Sequence, residues 1–335
     1  MSHGEPVLFS LYFYAPDQTA PILFTIGYGI TAAAFIWQGL RHNSFNLIGI
    51  NTICAITMTA GYALRIYGSR NYQYDGNDAS PLVTFILSQI FIYICPPLLE
   101  LSNYHILGRL FYYVPYSAPI PAHLVLRIFG TLMLVVEVLN TLGASLAVNP
   151  TSRPSQQQAG SIMTIIAIST QVVVITVFFG LAGIFHTRCI KGGSGYHNVK
   201  TVLQALYASM ALILGRCVYR LVQHARESHV QINDMESLQH LDPIFLYEAY
   251  FLVFEASFML LNSIVWIVWT PGRYLPKEYH KYLAQDGNEI EGQQLIDQRS
   301  LGAKIVHVVT FGLLYHKEKP NHASQELSMM ALQRT

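Results

Sequence analysis

Charge is what this sequence has least of. Lys, Arg, Asp and Glu make up 12% of its 335 residues, while 52% are apolar. Soluble domains carry about a quarter charged residues, so the composition excludes a soluble globule of this size and points to a membrane protein. A net charge of +1 leaves no basic field for nucleic acid. The four cysteines, Cys54, Cys95, Cys189 and Cys217, stand in no metal-binding spacing. Buried thiols are expected, rather than a zinc site or a disulfide. A nucleophile elbow, a Gly-rich phosphate loop and a Walker pattern are all missing, so no cofactor is expected. The thirteen histidines form no His-x-x-x-His or Glu-x-x-His motif inside an apolar run, and no metal site is expected. The N-terminus holds Glu5 and Asp17 in place of a basic n-region, so the first apolar run reads as the targeting signal rather than as a cleaved peptide.

What is present is a series of apolar runs. Windows of about 19 residues predict seven spans, at 21–40, 45–66, 82–101, 124–148, 162–185, 202–222 and 245–269. Turn residues separate them, as at 192–195, and the third is expected to continue as helix through Arg109. The predicted fold is an all-α membrane protein, a bundle of seven transmembrane helices over residues 1–275. Residues 276–335 are expected to form a cytosolic, largely disordered tail, with a short apolar piece at 305–315 that is too short to span. Arg41, Arg109, Arg188, Lys191, Lys200, Arg273, Lys277 and Lys281 fall on one side of this bundle, which predicts the N-terminus outside and the C-terminus in the cytosol. Arg65 and Arg70 count against that orientation.

Polar residues inside the spans are the candidate site. Arg216, Arg220 and Gln223 share one face of the sixth helix, and Glu248, Glu255 and Asn262 form a heptad stripe on the seventh. If the two helices are antiparallel neighbours, Arg220 lies level with Glu248 and Arg216 with Glu255, and the arginines are expected to pair with the acids. An ionised group in hydrocarbon costs several kcal/mol unless paired or wetted. Glu137 sits near the middle of the fourth span with Asn140 one turn on. A carboxyl at that depth suits a proton-coupled step or a ligand headgroup, and it suits equally a hydrogen bond to a neighbouring helix. It should line a cavity enclosed by several helices. Glu100 and Asn103, with Tyr104 beside them, form a similar group in the third span, where a structural role is favoured. Gln171 in the fifth span fits helix–helix bonding. The substrate-binding candidates are therefore Glu137, Asn140, Glu255, Glu248, Arg216, Arg220, Gln171, Asn103 and Tyr104.

Short motifs add a resemblance. Tyr14-Ala15-Pro16 precedes the first span, and Gly61-Tyr62-Ala63-Leu64-Arg65 closes the second. Pro96 is followed by Tyr104 and Leu107-Gly108-Arg109, and Gly160 by Gln171. Arg216-Cys217-Val218-Tyr219-Arg220, the acids Glu248 and Glu255, and Pro271-Gly272 with Leu275 complete the series. In this order they resemble the fungal RTA1-like, lipid-translocating exporter family over most of residues 14–275. Gln223 stands where the family has Glu, Glu137 and Glu255 where it has Asp, and Met58 where an acid often precedes Gly-Tyr. The resemblance implies a multi-pass protein of the plasma membrane or an endomembrane that gives resistance to toxic amphiphiles. Its expected action is ATP-independent binding and translocation or export of a sphingoid-base-like, sterol-like or porphyrin-like molecule. Its partners would then be a lipophilic ligand and the bilayer, with no nucleic acid. Two other classes remain open. One is a seven-helix lipid-sensing receptor or regulator. The other is a membrane-embedded enzyme using Glu137 and Glu255 as acid and base, although a non-enzyme is favoured.

Overall fold

The computed structural model describes residues 16–42, 44–70, 80–148, 153–191, 197–227, 247–276, 281–283 and 289–291. Tyr14, Ala15, the 192–195 loop and the 305–315 stretch lie outside the described residues. Seven helices are long and apolar enough to cross a membrane. They are α1 (Ala20–His42), α2 (Phe45–Arg70), α3 (Ser80–Tyr113), α4 (Ala122–Val148), α5 (Pro154–Lys191), α6 (His197–Glu227) and α7. The last runs as Glu248–Phe251, a π-helical turn at Leu252–Ser257, and Phe258–Val268. Hydrocarbon offers backbone groups no partner, so each span satisfies its own. Thr and Ser hydroxyls do the same by donating to the carbonyl one turn back, as Thr52 does to Ile48 at 3.0 Å and Thr164 to Gly160 at 3.1 Å.

Each helix packs on its neighbour in sequence, α7 returns against α1, and α3 also touches α6. α3 is therefore the central helix, with Glu100, Asn103 and Arg109 all buried. α4 and α5 approach most closely at two glycines. A Cβ on Gly160 would stand 2.6 Å from the Ala147 nitrogen and the Gly143 carbonyl oxygen, so only hydrogen fits there. Tyr28 of α1 stacks on Tyr62 of α2 with ring centroids 5.3 Å apart and planes 8° apart.

Two spans depart from regular α-helix, and both bear on the site. Pro96 and Pro97 lie inside α3 and remove two ladder N–H groups at mid-span. In α7 the π turn frees a backbone carbonyl, and the Tyr28 hydroxyl donates to Ala256 O at 2.8 Å. Ser257 also donates, to Leu252 O five residues back at 2.8 Å. After α7, a short helix α8 (Pro271–Tyr274) precedes strand β1 (Lys281–Leu283), which pairs antiparallel with β2 (Glu289–Glu291). The expected tail thus begins with a small hairpin that buries Leu283. Its remainder lies outside the described residues.

Candidate functional site

The nine candidates separate into a cavity wall, which takes five, and four other settings. The cavity measures about 40 Å³ and lies between α3, α4, α5 and α6. Glu137, Asn140, Gln171, Arg216 and Arg220 line it together with Tyr93, Pro97, Ile168 and Cys217. A water needs some 10–15 Å³ of such space, so the room suits a small headgroup or two to three waters. Glu137 and Asn140, one turn apart on α4, are both half-buried at this wall. Tyr93 and Pro97 belong to the proline-containing stretch of α3, and the guanidinium of Arg220 lies 4.4 Å over the Tyr93 ring. Arg220 also donates to Gln223 Oε1 at 3.3 Å.

Arg216 links this cavity to the seventh helix. Its Nε donates to Glu255 Oε1 at 2.6 Å, with side chains 8% and 0% exposed, so the expected deep ion pair is present. Glu255 is not on the cavity wall, and its Oε2 has no hydrogen-bond partner among the described residues. Behind the cavity Glu100 is fully buried, accepting from the Tyr104 hydroxyl at one oxygen and from Gln171 Nε2 at the other, at 2.6 Å. Arg216 also acts electrostatically on Glu100 and Glu137, so three carboxyls from α3, α4 and α7 share the influence of one guanidinium of α6. They do not converge closely enough to form a set of metal ligands.

The second expected pair is different. Glu248 does not meet Arg220; its Oε1 takes Arg65 Nη2 at 2.9 Å, and its Oε2 takes the Asp17 backbone N–H at 2.7 Å. Arg65 is itself 4.4 Å from the Phe251 ring centroid. The heptad stripe assumed an unbroken α-helix, whereas Leu252–Ser257, with Glu255 inside it, is π-helical and holds one residue more per turn. One residue rotates the later side chains by up to about 100° at 3.6 residues per turn. Glu248 therefore faces α2, while Glu255 faces α6. Arg65 is 1% exposed within α2, so it is not the loop charge that was counted against the orientation.

Asn103 is likewise away from the cavity. Its Nδ2 donates to Ser209 Oγ at 2.7 Å, and Trp266 Nε1 donates to its Oδ1 at 3.1 Å, joining α3, α6 and α7. Tyr104 serves Glu100 and packs between Phe129 and Phe178, whose centroids lie 5.0 and 5.4 Å away. Sequence reasoning missed Tyr93, Pro97, Ile168 and Cys217 on the wall. The double proline in an apolar run was the one signal for an opening there. Glu100 stands at the end of the predicted span 82–101, and α3 runs past it to Tyr113 and buries it.

A family model described as RTA1 like protein matches residues 51–278. A Leptosphaeria maculans protein described as lipid-translocating exporter-like protein RTA1 is 48% identical over 324 residues, which is 96% of this chain. The chain spans only 62% of that relative's length. A protein of Ajellomyces capsulatus with the same description is 30% identical over 284 residues, covering 80% of this chain and 83% of its own. No solved structure matches.

Proposed function

This chain belongs to the RTA1-like family, and from that premise we propose that it binds an amphipathic lipid by a cationic headgroup and moves it across the bilayer without hydrolysing ATP. The observation that carries the reading is the polar cavity inside a seven-helix membrane bundle, with the half-buried carboxyl of Glu137 on its wall. An ammonium fits both the volume and the charge, Asn140 and Gln171 supply hydrogen bonds, and the tail stays in the apolar phase outside. This space favours a sphingoid-base-like amine over a sterol-like or porphyrin-like ring seated whole. Arg216 and Arg220 stand on the same wall and act electrostatically on Glu137. Glu255 lies off the wall with one oxygen committed to Arg216, which argues against an acid–base enzyme using it together with Glu137.

Glu137→Gln tests the site. The amide keeps shape and hydrogen bonding but removes the charge, so folded yield should hold. Binding should weaken about tenfold or more, in line with a charge-assisted hydrogen bond, and protection of cells against a toxic sphingoid base should go with it. Equal protection by the variant and the parent would remove Glu137 from the site. The proposed orientation places a reporter fused after Thr335 in the cytosol and one at Ser2 outside. Both reporters on one side would overturn it.

A further inference from the structure

The site's charges do not balance. Glu100, Glu137 and Glu255 offer three carboxyls to two guanidiniums, Arg216 and Arg220, inside a membrane span. A net charge is costly there, so one carboxyl must hold a proton or a bound cation. Hydrogen bonding indicates which one. Both oxygens of Glu100 already accept, from Tyr104 and from Gln171, so a proton there would displace a donor. Glu255 is paired with Arg216. These two acids match the two arginines in number, and Glu137, on which Arg216 and Arg220 both act, is left as the exchangeable acid on the cavity wall.

We propose that the site exchanges one proton for one cationic headgroup at Glu137, with Glu100 as the residue that sets the balance. This rests on the lipid-binding reading above. The step balances: protonated Glu137 and a free ammonium become ionised Glu137 with ammonium bound, and one proton leaves. The groups facing Glu137 are Arg216, Arg220 and Cys217 of α6, Tyr93 of α3, Asn140 of its own helix, Gln171 of α5 and, behind Gln171, Glu100 of α3. From α7, Glu255 acts through Arg216, and its second oxygen, buried and without a hydrogen-bond partner among the described residues, is a further sign that the cluster is short of positive charge. Without Glu100 an arginine would lack its counter-charge. Glu137 would then stay ionised against it and need no other cation.

The test uses the full chain in phosphatidylcholine nanodiscs with dodecyltrimethylammonium, a permanent cation that carries no proton of its own. A proton and this cation compete for one carboxylate, so binding tightens as pH rises. Kd is expected to fall as pH rises between 6 and 8, by up to about tenfold per unit, with calorimetry in buffers of different ionisation enthalpy counting up to one proton released per cation. Glu100→Gln should weaken binding and flatten the slope to under about twofold per unit. If that variant does not fold, the proton count on the unaltered protein still decides. Saturable binding that is independent of pH and releases no proton overturns the exchange alone. No saturable binding at any pH overturns it together with the headgroup reading beneath it.

Discussion

The two Arg–Glu pairs that cross this bundle are chemically alike and differently finished. At Arg65–Glu248 both carboxylate oxygens are occupied, one by the guanidinium and one by the Asp17 N–H, and the Phe251 ring covers the cation. At Arg216–Glu255 one oxygen has no partner among the described residues, and the guanidinium reaches a cavity and two further carboxyls. A carboxylate with both oxygens occupied is a fastener between helices. An unsaturated one beside a space has something left to bind. The same distinction separates Asn103, fully used by Ser209 and Trp266, from Asn140 on the cavity wall.

The largest effect should come from breaking the saturated pair. Arg65→Ala strands Glu248 in a dry setting, where removal of one partner costs ~3–5 kcal/mol. Folded yield in detergent should collapse, and Glu248→Gln made with it should restore part. Arg216→Ala should cost less, because cavity water can reach its neighbours. Equal losses in the two variants would erase the difference between the pairs. A smaller effect is expected where α4 meets α5. Gly160→Val drives a side chain into the Gly143 and Ala147 backbone, an overpacking cost of about 1–3 kcal/mol, and should lower the melting temperature while parting α4 from α5. A variant with an unchanged melting temperature would show that the glycine contact is not tight.

The smallest effect concerns Asp17, which joins the saturated pair to the start of α1. Its Oδ1 accepts from the Thr19 N–H at 2.7 Å and the Ala20 N–H at 3.4 Å, and the Thr19 amide holds this carboxyl below its ordinary range. A depressed carboxyl contributes above its unfolded value and loses that contribution as pH falls through its folded one. Asp17→Ala should therefore cost about 1 kcal/mol near neutrality and nothing in strong acid, read by thermal melts at both pH values. A loss that persists in acid would show that the side chain acts by packing.

Much of the site was legible because burying charge in hydrocarbon is costly, so Glu137, Arg216, Arg220 and Gln171 stood out against apolar runs. Their shared wall follows from depth and helical periodicity. Glu248, Asn103 and Tyr104 were legible as polar but not as fasteners, since a partner such as Arg65, Ser209 or Glu100 lies far off in sequence.

By itself, the sequence determined the seven spans, the polar residues within them and the deep pair between Arg216 and Glu255, because span length and the cost of buried charge are local properties. Tertiary structure decided the rest. The π turn in α7 rotated Glu248 away from Glu255 and towards Arg65. The prolines of α3 and the glycines of α4 and α5 set where helices part and where they touch. Those outcomes depend on which carbonyls and side chains meet across helices, and hydropathy carries no record of that.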